Sequence, residues 1–428
     1  MPYIKPFKGL AYNTKVIKNI SSVVAPPYDI IPPVMQDELY RKSGFNVVRL
    51  ILGRKRKDDT ASDNRYTRSG KCFEEWLKNN ILVQDKKDAL YIYSQRYEAN
   101  GKGFEQIGFI GLMKLNLGRK KTILPHENTL SAPKADRLEL MRNVRSNLSP
   151  IFVLYDDTGH KVLNILKRYS SKHGPFMDIN FDNARHRVWR LEGPLAIKKI
   201  EALMRPKDIF IADGHHRYEA ACAYSREIQK SALPKNVKLN SRYMMAYFVE
   251  SDEKMLAILP THRVIKNIGE LSDSDVRRRL EKYFLIKEAG GLKPLMAMLD
   301  NSKNVCAFGL YAGKGLFYLL RLKNPRAPDS VIANKSKPWK RLDVTILHLF
   351  LLEHVLGIKD EEDNIEFVKD ASEAVSLIDT GKYGLTFFLN PTKVSQVKQI
   401  ARIGERMPRK ATYFYPKPAS GLIINKME

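Results

Sequence analysis

The chain has 428 residues, 43% of them hydrophobic, and carries 73 Lys and Arg against 47 Asp and Glu, a formal net charge of +26. That length is too great for one typical core and predicts two or three domains, while the charge invites anionic partners, either nucleic acid or phosphorylated small molecules. No run of about 20 apolar residues occurs, so no membrane-spanning helix is expected, and Cys72, Cys222 and Cys306 form no CxxC, which argues against a metal knuckle or redox pair and fits a reduced compartment.

The opening stretch MPYIKPFKGLAY lacks a long apolar core, so no signal peptide and a cytoplasmic location are expected. Residues 1–35 read as extended and proline-punctuated, and helical patterns follow at 34–43 and 65–79. ALYIYSQRYE, the turn ANGKG and EQIGFIGLMKL predict a hairpin. KTILPHENTLSAPKADRLELMRN reads as strand, loop and helix, and IFVLYD (151–156) as a buried strand. KDIFIA (207–212) predicts a strand, and RYEAACAYSREI a helix with Tyr218, Ala221, Cys222 and Tyr224 or Ser225 inward. Further on come a helix over 275–284, a hairpin over 305–322 turning at Ala312–Gly315, a helix over 343–357, the strand YGLTFFLN and the helix KVSQVKQIARIGE. The tail MPRKATYFYPKPASGLIIN has too many prolines and aromatics for a helix, and its aromatics predict that it packs down.

Strands and helices mix without a steady βαβ rhythm, which predicts an α+β fold of mixed sheets with hairpins. The expected division is an N-terminal α+β region over 1–105, a core over 106–265 and a C-terminal α+β domain over 266–428 whose tail returns to the site. Basic residues form only short clusters, at 54–57, 119–121, 277–279 and 335–341. GxxxxGK[ST], GxGxxG, HExxH and GxSxG are all absent, which lowers the weight of the common nucleotide folds and zinc hydrolases.

The chemistry gathers in DGHHR, Asp213 to Arg217, between the 207–212 strand and its helix. Gly214 permits a tight or left-handed backbone. A helix N-terminus with His215, His216 and Arg217 makes an anion cradle, for which phosphate is the fitting guest. Asp213 beside it suits a base or a magnesium ligand, or caps the helix. ILPHENTLSAPKADR is a second constellation, with His126 and Glu127 in a loop after a strand and Arg137 in the next helix. LPTHR supplies His262 and Arg263 after another apolar run, and the basic tail offers Lys410, Tyr413 and Lys417 to close over a nucleotide. Adjacent histidines seldom share one metal, and no protein zinc site is expected.

Seven blocks, APPYDI, NVVRLIL, ILPHENT, IADGHHRYEAA, ILPTHR, LDVTILHLFLLEHVLGI and MPRKATYFYPK, occur in this order. Together, from about residue 3 to 425, they resemble the family catalogued as domain of unknown function 1015. DGHHR before a helix also resembles the phosphate-binding turn of the ParB/sulfiredoxin superfamily, and within it the free-serine kinases, which pair a PHE-type loop with a DGH-type turn. That resemblance implies a ParB/sulfiredoxin-like core with Asp213 catalytic and Glu127 near the serine. It also implies phosphate contacts from His215, His216 and Arg217. Gly214, Arg137 and His126 join them as nucleotide-site candidates. More than eighty residues separate the PHE loop from DGHHR here, a departure that leaves the acceptor open. The function expected is therefore phosphoryl transfer from ATP or ADP, with Mg2+, to a small hydroxylated metabolite, free L-serine first. Asp213 is expected to act as base while Glu127 orients the substrate. Two alternatives stay open: a ParB-like, nucleotide-switched nucleic-acid-binding protein, and a phosphohydrolase using His216 as nucleophile.

Overall fold

A computed structural model describes the chain except for residues 1, 100, 119–121, 253–254, 270, 360–363 and 428. The basic cluster at 119–121 and Asn100 of the first hairpin turn thus lie outside the described residues. The chain divides into unit 1, comprising Met1–Pro125, Thr129–Ala257 and Pro416–Glu428, and unit 2, comprising His126–Asn128 and Ile258–Tyr415.

Unit 1 is built on β1 (Ile4–Lys5), α1 (Pro33–Lys42), α2 (Val48–Ile51), α3 (Arg65–Lys78), β2 (Leu90–Ala99), β3 (Lys102–Lys114) and β4 (Ile123–Leu124). It continues with α4 (Ser131–Val144), β5 (Ile151–Tyr155), β6 (Met177–Phe181), β7 (Ala184–Leu191), β8 (Ile209–Asp213), α5 (His215–Lys230) and β9 (Tyr243–Glu250). The strands form one nine-stranded mixed sheet in the order β4-β8-β5-β9-β3-β2-β7-β6, with β1 beside β3. β8 runs parallel to β4 and β9 parallel to β5, while the other pairs are antiparallel. Apolar residues run through β5 without alternation because both of its faces are covered, and all five are buried. Ile151, Val153, Ile209 and Ile211 share a core with Tyr218, Ala221, Cys222 and Tyr224 of α5, the inward face read from the helical spacing. Asn64 starts α3 with a capping box, its side chain accepting from the Tyr66 and Thr67 N–H groups.

The expected boundary after residue 105 falls inside β3, which bonds to β2 along its length, so a cut there would open the sheet. The β6–β7 hairpin went unread in the sequence. Its turn residues, Asp182 and Asn183, both take positive φ, at 49° and 57°, as a tight primed turn requires.

Unit 2 carries β10 (His262–Ile265), α6 (Asp273–Tyr283), β11 (Phe284–Ala289), β12 (Ala307–Tyr311) and β13 (Phe317–Leu322). The helix α7 (Ile346–Leu356), β14 (Ile365–Val368), β15 (Leu385–Phe388) and α8 (Val394–Arg402) follow. Its six-stranded sheet is antiparallel throughout, in the order β11-β13-β12-β15-β10-β14. The helix expected over 343–357 is a short turn at Asp343–Thr345 that passes into the wider π winding of α7. The fold is α+β. Among the described residues no helix is long and apolar enough to cross a membrane.

Candidate active site

β8 and α5 set the site. The register of β8 on β5 shifts between Ile211 and Asp213, a bulge that re-aims the Asp213 side chain at the end of the strand. Gly214 follows at φ +92°, and a Cβ there would stand 2.7 Å from Ile151 Cγ2 and 2.9 Å from Arg217 Nη2, so the turn needs glycine on both counts. The helix begins at His215, two residues earlier than its spacing predicts, with Gly214 rather than Asp213 at the cap and no side-chain cap bond. Asp213 is therefore released from the capping role the sequence allowed it. His215 to Arg217 form the first helical turn, where N–H groups point outward and the dipole is positive.

Several contacts fix the pose of this turn. Arg217 is 8% exposed. Its Nη2 donates to Asp213 Oδ2 at 2.7 Å and its Nη1 to the Pro150 carbonyl at 2.7 Å, while its Nε is buried without a hydrogen-bond partner. The other oxygen of Asp213 meets Lys417 Nζ at 2.6 Å, and the same ammonium donates to Asp29 Oδ2 at 2.5 Å. Burial alone would lower the Lys417 pKa, but the charges of Asp213 and Asp29 outweigh it and hold the value above that of an ordinary lysine. His216 Nε2 accepts the Leu130 N–H at 3.0 Å, and Thr129 Oγ1 donates to Glu219 Oε2 at 2.5 Å, so the loop before α4 is tied to the first turns of α5.

Arg137, buried in α4, stacks 3.8 Å from the centre of the Tyr28 ring and donates to the Ile51 carbonyl at 2.7 Å. Its neighbour Asp136 also takes Arg65 and the Tyr66 hydroxyl. Burial opposes ionisation of Asp136, but Arg137, Tyr66 and Arg65 more than compensate and pull its pKa below the usual carboxylate value. Burial raises the Tyr28 pKa against the pull of Arg137 and Arg217, which keeps the phenol protonated. Tyr28, Arg137 and Arg217 line a 50 Å3 cavity with Ser146, Asn147 and Ser149. Both guanidinium groups that reach it already pair with carboxylates, Arg137 with Asp136 and Arg217 with Asp213.

The remaining sequence-predicted residues belong to unit 2. His126 is buried, with Nε2 2.9 Å from Thr412 Oγ1, and Glu127 pairs with Met407 in a short parallel bridge. The Thr412 hydroxyl reaches Glu127 Oε1 at 3.4 Å. His262 and Arg263, the expected substrate contacts, are each 1% exposed. Arg263 donates to His348 Nε2 at 3.0 Å and to the Lys410 carbonyl at 3.1 Å, and its guanidinium lies 5.1 Å from the centre of the Phe367 ring. Lys410 takes φ +54° and presents an exposed side chain, while Lys369 Nζ lies 3.8 Å over the Tyr413 ring.

The structure thus brings Asp213, Gly214, Arg217 and Lys417 together in unit 1. Sequence reasoning missed Asp29 and Tyr28, although both sit in the quoted block APPYDI. A Tyr-Asp pair after two prolines was the available signal.

A family model described as protein of unknown function (DUF1015) matches residues 4–345. Among solved structures, a free serine kinase mutant in complex with AMP is similar at 12% identity and a TM-score of 0.35, over 69% of this chain and 86% of that one. SbnI with a C-terminal truncation, from Staphylococcus aureus, is similar at 11% identity and a TM-score of 0.35, over 74% and 87%. A conserved hypothetical protein from Pyrococcus furiosus is similar at 10% identity and a TM-score of 0.33, over 69% and 89%. No curated protein matches the sequence.

Proposed function

The chain belongs to the family of proteins of unknown function DUF1015, and we propose that it is a nucleotide-dependent phosphotransferase acting on a small hydroxylated metabolite, with free L-serine the first candidate. The observation that carries this reading is the Asp213–Arg217 turn. A helix N-terminus, a glycine held left-handed and a buried Arg217 with an unpartnered Nε converge beside a carboxylate and a buried lysine. Such a turn suits phosphate, and a phosphate-binding turn with an adjacent carboxylate suits phosphoryl transfer, which is mostly positioning and charge stabilisation.

In the proposed reaction the transferable phosphoryl group of ATP or ADP lies at the N-terminus of α5. Arg217 stabilises its equatorial oxygens. The acceptor hydroxyl oxygen attacks phosphorus in line, the bond to the leaving phosphate oxygen breaks, and the hydroxyl proton passes to a carboxylate. Asp213 binds Lys417 and Arg217 through separate oxygens. It therefore holds both cations in place beside the substrate hydroxyl. Glu127 is retained from the sequence as the second candidate for the proton. Magnesium would supply charge neutralisation on the phosphates. The residues of the turn do not fit it, since Asp29 and Asp213 converge on the Lys417 ammonium, which fills the place a hard cation would take. No protein ligand is assigned to magnesium.

Phosphorus NMR on the purified protein with magnesium, ATP or ADP, and a panel of amino acids and polyols tests the reading. A new phosphomonoester signal with serine, lost in Asp213→Asn and weakened in Glu127→Gln, is the expected result. Acceptor-independent release of phosphate would replace the transferase with a phosphohydrolase. No turnover together with salt-sensitive DNA retention would overturn it in favour of nucleic-acid binding.

A further inference from the structure

Unit 1 holds a second cavity, of 440 Å3, which shares no lining residue with the small cavity at Arg217. Seven of its ten lining residues are Arg or Lys. Arg41 comes from α1 and Arg49 from α2. Arg54, Lys55 and Arg56 come from the basic cluster after α2, and Arg65 and Arg68 from the first turns of α3. The proposed function absorbs none of the 54–57 cluster.

Two features separate this cavity from an ordinary solvated basic surface. The charges are only partly compensated. Arg54 pairs with Asp37 at 2.5 Å, Arg68 with Asp59 at 2.6 Å and Asp63 at 3.3 Å, and Arg65 with an Asp136 that Arg137 also uses. Seven cations therefore face four carboxylates, and Arg41, Lys55 and Arg56 have no carboxylate partner among the described residues. The wall is also ordered in advance. The guanidinium groups of Arg49 and Arg54 lie 4.4 and 4.3 Å from the centre of the same Tyr40 ring. Arg49 Nη2 donates to the Tyr40 carbonyl at 2.9 Å, the Arg54 N–H to the Tyr40 hydroxyl at 3.1 Å, and Arg68 Nη2 to the Arg54 carbonyl at 3.0 Å. Arg49 Nε is left buried without a partner. Like charges held this close repel, and an anion entering among pre-ordered forks relieves that repulsion at little cost in side-chain freedom.

We propose that this cavity is a second ligand site, distinct from the Asp213 turn, for a compact molecule carrying two or more linked phosphate groups. Planar guanidinium forks match phosphate oxygens, several of them converge, and the volume is that of a small-molecule site. Charges gathered on one cavity, rather than strung along a face, select a compact polyanion over an extended nucleic-acid strand. The proposal does not rest on the phosphotransferase reading.

Half-buried Cys72 lines the cavity and supplies a local reporter; burial pushes its thiol up to about 11, so it is a slow-reacting contact and not a nucleophile. The experiment is maleimide labelling of the full chain, read by peptide mass at Cys72 and Cys306, across a titration of inorganic tripolyphosphate. Thermal melting of the same samples is the second readout. Tripolyphosphate is expected to protect Cys72 and raise the melting temperature of wild type. The exposed pair Lys55→Glu and Arg56→Glu should shift both effects at least tenfold to higher concentration, with Cys306 labelling unchanged and with Asp213→Asn behaving as wild type. An ATP arm separates the sources of such a chain: equal protection assigns the polyphosphate alone, and tighter protection assigns a nucleotide. Four results overturn the proposal: no protection and no melting shift, effects indifferent to the charge reversal, equal protection by orthophosphate, or tighter protection by a 20-nucleotide single strand.

Discussion

Each unit buries an arginine against a segment from the far end of the chain, and the described contacts of the two differ in kind. In unit 1, Arg217 and Lys417 share one carboxylate, Asp213, and Asp29 also binds Lys417. In unit 2, Arg263 lies against the Thr261 and Lys410 carbonyls, Nε2 of His348 and the face of Phe367. Countercharges can be exchanged for another anion, and the unit 1 cluster keeps part of its surface open, with the Asp213 side chain 13% exposed. The difference teaches that a buried arginine can be held among carboxylates or among carbonyls and rings, although the sequence offered both alike as site residues.

The comparison breaks most visibly at Lys417. Lys417→Met leaves Asp29 and Asp213 facing each other, and urea unfolding should show a loss of about 3–5 kcal/mol, the range for removing one partner from a buried ionic group. In the double variant Lys417→Met/Asp213→Asn part of that loss should return; strict additivity of the two would remove the case for a coupled cluster.

The next effect is a pH dependence whose largest histidine contribution comes from His262 in unit 2. Burial, then Arg263, lowers the pKa of His262 from 6.5 to about 4. Above 6.5 the imidazole is neutral whether the chain is folded or not, so it contributes no pH dependence. As the pH falls below 6.5 the unfolded chain takes up a proton that the folded chain refuses, and stability drops until about pH 4. At 1.36 kcal/mol per pKa unit the loss is up to about 3 kcal/mol. His262→Leu should flatten that slope in denaturation curves taken across the window. Buried His186 in unit 1 has its pKa shifted down as well, so a residual slope of the same sign is expected in the variant.

Arg263→Lys sharpens the contrast further. A lysine keeps the charge but has no planar fork to serve three acceptors, and about 2–3 kcal/mol should go from unfolding free energy, the cost of buried polar groups left unsatisfied. A loss as small as that of an exposed pair would mean that the enclosure is not structural. Gly214→Ala, in unit 1, should cost about 2 kcal/mol through left-handed strain and the contact with Ile151, and should depress the proposed phosphoryl transfer more than stability. The smallest effect is the control: Asn64→Ala removes the α3 cap for about 1 kcal/mol and leaves the transfer rate unchanged.

Local patterning carried much of this molecule. The alternation and turn around Gly101 specified the β2–β3 hairpin, and the inward face of α5 could be read from its spacing because helical periodicity is a local property. The start of α5 was read two residues late, since DGHHR looks polar whether it is loop or helix and only the positive φ of Gly214 fixes the cap. β9 was missed because a strand buried on both faces, in a run such as YMMAYFVE, shows no period of two. His262 and Arg263 looked like site chemistry for a similar reason: polarity at the edge of an apolar run says nothing about whether solvent will reach it.

By itself the sequence determined the α+β character, the two hairpins around 100 and 313, and the polar turn from Asp213 to Arg217 at a strand-to-helix junction. These follow from spacings of a few residues, where side-chain period and glycine freedom act directly on the backbone. The tertiary structure alone decided that Lys417 bonds to Asp29, 388 positions away, and that both close on Asp213. It also decided that Arg41, Arg49 and Arg68 meet Arg54, Lys55 and Arg56 around one cavity. Such contacts depend on how strands and helices pack over long loops, and no local pattern encodes which charge will meet which until the apolar faces have been buried.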